Sequence, residues 1–167
     1  MAQTRLSVTI FFMKHRAWVA FSGFLWFAIG VSLLYKGLHF IAQAAFEPNS
    51  LSARMQGMFG SPQQASTVLI AAGLIIGYMK AKFVLSKTVR RVVARIASLP
   101  LPIRFKDVYS PSYWILILAM VGIGLTFRFL PIPLDLRGAV DVAIGSALVN
   151  GAMLYFRAAR GLQVQSS

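Results

Sequence analysis

The stretch SPQQASTVLIAAGLIIGYMKAKFVLSKTVRRVVARIASL, residues 61–99, decides the fold. Ser61 is a capping residue followed by proline at the first helical position, and Gln64 stands three residues after the cap. That arrangement starts a helix. No breaker follows until Leu99-Pro100-Leu101-Pro102, so the helix runs about 36 residues, or roughly 54 Å at 1.5 Å per residue. The hydrocarbon core of a bilayer is only about 30 Å thick. From Ala65 to Leu85 the run is apolar enough to cross it, so the basic end beyond Lys80 must project or bend.

Three further apolar runs complete the set: 17–35, 111–130 and 138–156. Their punctuation is similar. Ser110-Pro111 starts one helix, Pro131 and Pro133 stop it, Asp135 is placed to cap the next, and Gly161 is placed to end that one. The sequence therefore reads as an all-α polytopic membrane protein, a four-helix transmembrane bundle forming a single integral domain over residues 1–167. With 57% hydrophobic and 13% charged residues, a soluble domain of this size lacks the polar surface to cover itself. Ala42-Gln43-Ala44 resembles a signal-peptidase site, but the apolar run before it exceeds the usual 7–15 residues. A retained helix is expected.

Sidedness follows from the basic residues. Arg5, Lys14, Arg16, Lys80, Lys82, Lys87, Arg90, Arg91, Arg95, Arg104, Lys106, Arg157 and Arg160 fall on one side of a four-span chain, and only Lys36, Arg54, Arg128 and Arg137 on the other. Basic residues are retained in the cytoplasm, so both termini are expected inside, in an inner or plasma membrane. The net charge of +13 is thereby explained by topology. Nucleic acid is not an expected partner, because no aromatic-basic binding motif accompanies the charge.

Residues 80–98 form a cytoplasmic basic amphipathic extension of the second helix. Read as continuous α-helix, Lys80, Lys87, Arg91 and Arg95 share one face, opposite Leu85, Val89, Val92, Val93 and Ile96. Such a helix contacts anionic lipid, each basic group near the surface contributing on the order of 1 kcal/mol, or it merely fixes topology while its apolar side packs on the bundle.

Small residues recur at four-residue spacing: Gly73, Gly77 and Ala81 in the second span, Ala147 and Gly151 in the fourth. They let helices approach closely, within one chain or between copies in a homo-oligomer. Residues 68–79 and 142–153 also match weakly, at Val68, Ile70, Leu74, Gly77 and Met79 against Val142, Ile144, Leu148, Gly151 and Met153, which points to two parallel hairpin repeats.

Chemistry is sparse. Four acids, two histidines and no cysteine give no paired acids, no nucleophile with its base and no metal-ligand spacing, so neither an enzyme nor a cofactor is expected. The polar groups at membrane depth are Arg128, Asp141, Ser146 and Asn150. Asp141 carries the strongest functional flag as an intramembrane acid, and Arg128 lies within reach of it across a short hairpin. Ser146 and Asn150, one turn apart, line a polar path or bond between helices. Two functions follow: a homo-oligomeric channel or transporter for an ion or small solute, or a non-catalytic structural or accessory protein that binds anionic lipid or a partner complex.

Overall fold

The computed structural model describes residues 15–99, 115, 118, 122, 126 and 129–164, the last three without their side chains. Among them, three helices are long and apolar enough to cross a membrane. Helix α1 covers His15–Ala44. Two short helices, α2 (Leu51–Arg54) and α3 (Gln56–Phe59), lead to α4 (Pro62–Lys80). A π-helical turn, Ala81–Leu85, joins α4 to α5 (Ser86–Ser98), and α6 spans Leu134–Val164. The predicted span 111–130 lies largely outside the described residues. Its described positions Ile115, Leu118, Gly122, Thr126 and Phe129 have helical backbone.

Local chemistry sets the boundaries. The Ser61 hydroxyl accepts from the Gln64 N–H at 3.2 Å, and Pro62 occupies the first turn, so α4 starts where its cap places it. Gly60 precedes it at φ 84°, a left-handed conformation that a side chain disfavours. Helix α6 continues to Val164, three residues past Gly161. The expected stop at Gly161 is therefore wrong: a lone glycine weakens a helix by about 1 kcal/mol but ends it only where the backbone turns left-handed, and Gly60 alone among the described residues does so.

Helices α1 and α6 pack antiparallel along a seam of glycines spaced by seven. A Cβ placed on Gly37 would lie 2.7 Å from the Gly138 carbonyl oxygen, and one on Gly30 would lie 3.0 Å from that of Gly145. The relation is mutual, since Gly138 meets Gly37 O and Gly145 meets Gly30 O, each at 2.7 Å. Continuing this register puts Gly23 level with Ala152, and a Cβ there would lie 3.0 Å from the Phe156 ring. A seven-residue repeat drifts only about 20° on an α-helix, so Gly23, Gly30 and Gly37 of α1 and Gly138 and Gly145 of α6 stay in the seam.

Helix α4 runs parallel to α6. Gly73 lies against Ala139 and Val142, Gly77 against Ala143 and Ala147, and Leu85 reaches Gly151. A Cβ on Gly77 would collide with the Ala143 carbonyl oxygen. Gly73, Gly77, Ala81, Leu85 and Val89 are all buried, four residues apart. On an α-helix each such step overshoots a full turn by about 40°, so four steps drift about 160°. The π turn holds one extra residue and takes back about 100° of this, which keeps the stripe on α6.

That turn corrects the expected basic face. Read through as α-helix, Lys80 aligns with Lys87, Arg91 and Arg95; the π turn rotates the latter three by roughly 100° relative to Lys80. Lys87, Arg91 and Arg95 are exposed, while Val89 and Ile96 join a core with Val19, Trp26, Leu148 and Tyr155. Helix α5 therefore packs on the bundle by its apolar side.

The ends of the bundle are tied separately. His15 Nε2 lies 2.9 Å from the Leu99 carbonyl oxygen, joining the start of α1 to the end of α5. At the other end Ser52 of α2 bonds to Asp135 of α6. Leu99 and Leu134 thus sit at opposite ends of the molecule.

Candidate functional site

Asp141 comes first, because it lies in a helix long and apolar enough to cross a membrane, where a charge needs a partner. Asp141 lies two turns into α6, where the glycine seam brings α1 close. Its carboxylate is met by Lys36: Nζ stands 3.2 Å from Oδ2. The contact is a charge pairing without the alignment of a hydrogen bond, and Oδ2 is otherwise buried and unbonded. The two side chains differ in exposure, 45% for Lys36 and 12% for Asp141, so the ammonium faces outward and the carboxylate inward. The Lys36 ammonium and the Arg137 guanidinium also lie over the Phe40 ring, at 5.3 and 5.2 Å from its centroid.

The expected partner was Arg128, which lies outside the described residues. Hairpin proximity points to Arg128, whereas the Lys36 contact depends on the packing of two distant segments, α1 and α6. The glycine repeats carry the missing signal: once Gly37 is set against Gly138, Lys36 stands one residue before the first and Asp141 one turn after the second, at a common level.

Asp135 forms a second, fully buried carboxylate. Its Oδ2 accepts from the Ser52 N–H at 2.6 Å and from the Ser52 hydroxyl at 2.7 Å, while Oδ1 accepts from the Leu136 N–H at 2.9 Å. The carboxylate sits at the N-terminal, positive end of the α6 dipole. It satisfies a first-turn N–H and fastens α2 over the helix start, lying within the first turn rather than at the expected cap position, since the Pro133 carbonyl accepts the first helical bond, from the Arg137 N–H at 3.2 Å. Ser50 in turn accepts from the Ala53 N–H at 3.0 Å, holding the short helix in shape.

Ser146 and Asn150 do not share one task. The Ser146 hydroxyl donates to the Leu74 carbonyl oxygen at 3.2 Å, tying α6 to α4. The Asn150 amide donates to the Ser146 carbonyl oxygen one turn back, at 2.9 Å, within α6 itself. Each donor meets a backbone carbonyl. The small residues are similarly committed: Gly73, Gly77 and Ala147 lie where α4 meets α6, buried Ala81 faces the core, and Gly151 lies against Trp26 and Leu85. The faint sequence repeat spans α4 and α6, which run side by side in the same direction.

The remaining charged feature is the outer side of α5. Lys87, Arg90, Arg91 and Arg95 are all exposed there, and Lys82 lies exposed in the π turn. No acidic residue occurs from 48 to 106 or from 142 to 167, so neither α5 nor the half of α6 beside it supplies an anion. Helix α1, which meets them both, has no acid either. Among the described residues no group of three or more histidine, cysteine, aspartate or glutamate side chains could hold a metal ion. Comparison with protein-family models, with curated proteins and with solved protein structures yields no match.

Proposed function

We propose that this chain is a non-catalytic accessory protein of an inner or plasma membrane that gathers anionic lipid against the cytoplasmic side of its bundle through α5. The observation that carries this reading is the division of labour on α5. Its apolar side is consumed by the core, and its Lys87, Arg90, Arg91 and Arg95 side chains are exposed, with no acid on α1, on α5 or in the adjoining half of α6. Near an anionic leaflet each such charge contributes about 1 kcal/mol of attraction.

Four crossings give this end its sidedness. In this reading the apolar run 111–130 is the further crossing, long enough for the hydrocarbon core of a bilayer. Both termini then lie on the basic, cytoplasmic side. Purification in mild detergent followed by lipid analysis tests the function. Anionic phospholipid should be enriched over the surrounding membrane, and the enrichment should fall when Lys87, Arg91 and Arg95 are replaced by Gln. A lipid mixture equal to that of the bulk membrane contradicts it.

One observation favours a second reading, the conduit: Asp141 is a buried acid in a spanning helix, and such acids mark ion and proton paths. Proteoliposomes separate the two. A conduit shows ion or solute flux that Asp141→Asn abolishes, whereas an accessory protein shows none above empty vesicles.

A further inference from the structure

Between α5 and α6 runs an open groove of about 350 Å³. Val89 and Val93 form one wall, Leu154 and Ala158 the other, and the polar groups on it come from Ser86 and Arg90. The α1–α6 register places Leu154 and Ala158 level with residues 17–21, at the basic edge of the apolar run of α1. A groove at that depth straddles the boundary between hydrocarbon and headgroups. Its lining is apolar where acyl chains would lie, and its one charged side chain is a guanidinium, the group best suited to grip a phosphate with two parallel hydrogen bonds.

We infer that this groove seats one anionic phospholipid, with an acyl chain between α5 and α6 and the headgroup phosphate on Arg90; the Ser86 hydroxyl is committed to the Lys82 carbonyl oxygen at 2.6 Å. The inference rests on the anionic-lipid reading of α5 and sharpens it from a diffuse field to a single seat. Charge complementarity favours this occupant, because no acid on α1, on α5 or in the adjoining half of α6 can neutralise Arg90. The seat lies to one side of Lys87, Arg91 and Arg95, which attract headgroups without enclosing them.

Native mass spectrometry of the full chain, equilibrated with phosphatidylglycerol and phosphatidylcholine of matched acyl chains, tests the seat. One phosphatidylglycerol per chain should survive activation in preference to phosphatidylcholine. Arg90→Gln should lower that retention about five-fold, the equivalent of about 1 kcal/mol, and Arg90→Lys should recover part of it. Ala94→Trp, at an exposed position lining the groove, should block the seat without lowering the melting temperature. Replacing Lys87, Arg91 and Arg95 with Gln should thin the surrounding anionic lipid yet leave the single retained molecule. The seat is overturned if phosphatidylglycerol is still preferred but Arg90→Gln and Ala94→Trp both leave retention unchanged, the outcome expected if another part of the chain fills the groove. No preference for phosphatidylglycerol in any variant overturns the broader reading of α5 as well.

Discussion

The two ends of this bundle are built on opposite terms. At the Asp135 end charge is neutralised inside the chain: Asp135 takes three hydrogen bonds and Asp141 is paired with Lys36. Backbones there touch directly, with Gly37 and Gly138 each against the other's carbonyl. At the His15 end the seam passes through side chains, Gly23 against Tyr155 and Phe156, and the exposed cations of α5 pack beside helices α1 and α6 that carry no acid at that end. The difference teaches where binding belongs. An end that satisfies its own charges offers a partner little, whereas one with four exposed basic side chains offers an anionic partner a surface.

The contrast breaks first at Asp135. Asp135→Ala removes a buried acceptor and leaves the Ser52 N–H and hydroxyl without their partner, so it should cost about 3 kcal/mol in equilibrium unfolding in detergent. Retention of full stability would mean that α2 is not fastened to α6 by this carboxylate. Next come the glycines. Gly37→Ala drives a methyl group into the Gly138 carbonyl and the Val142 N–H, backbone that cannot step aside, and should cost about 2 kcal/mol. Gly23→Ala meets the Phe156 ring and the Tyr155 Cβ, where the ring can turn, and alanine favours the helix by up to about 1 kcal/mol. Its loss should be much smaller. Equal losses at the two positions would erase the distinction between the ends.

A double-mutant cycle on Lys36→Gln and Asp141→Asn should give a coupling of about 1 kcal/mol, discounted because the lysine is nearly half exposed. Additive losses would dissolve the pair and return Asp141 to the conduit reading. The smallest effect is expected at the other end. Replacing Lys87, Arg91 and Arg95 with Gln should change stability by no more than about 0.5 kcal/mol, since these exposed side chains leave the apolar core of α5 untouched. A large destabilisation there would make the basic face structural.

Much of this was legible in the sequence, for identifiable reasons. Ser61-Pro62-Gln63-Gln64 announces a helix start because capping is local chemistry, and the structure starts α4 there. Apolar length likewise identifies spanning helices without tertiary information. The π turn was hidden because helical-angle reading assumes one period throughout. Its trace is nevertheless present, since five small or apolar residues at strict four-residue spacing from Gly73 to Val89 drift too far for one face of an α-helix. The Lys36–Asp141 pair was hidden by a different cause. It depends on the register between two distant segments, and only the matched repeats Gly23, Gly30, Gly37 and Gly138, Gly145, Ala152 carry that register. A search for GxxxG alone passes over both.

The central claim is that the self-neutralised end and the cationic end face opposite sides of a membrane, with the cations in the cytoplasm. Gln63 and Ser98 are exposed at the two ends of the continuous 37-residue helix Pro62–Ser98, about 53 Å apart along its axis. The chain has no cysteine of its own, so single cysteines at these positions report without interference. In intact cells a membrane-impermeant maleimide should label Gln63→Cys, and Ser98→Cys should react only after the membrane is opened. Labelling of both from the same side would contradict the account.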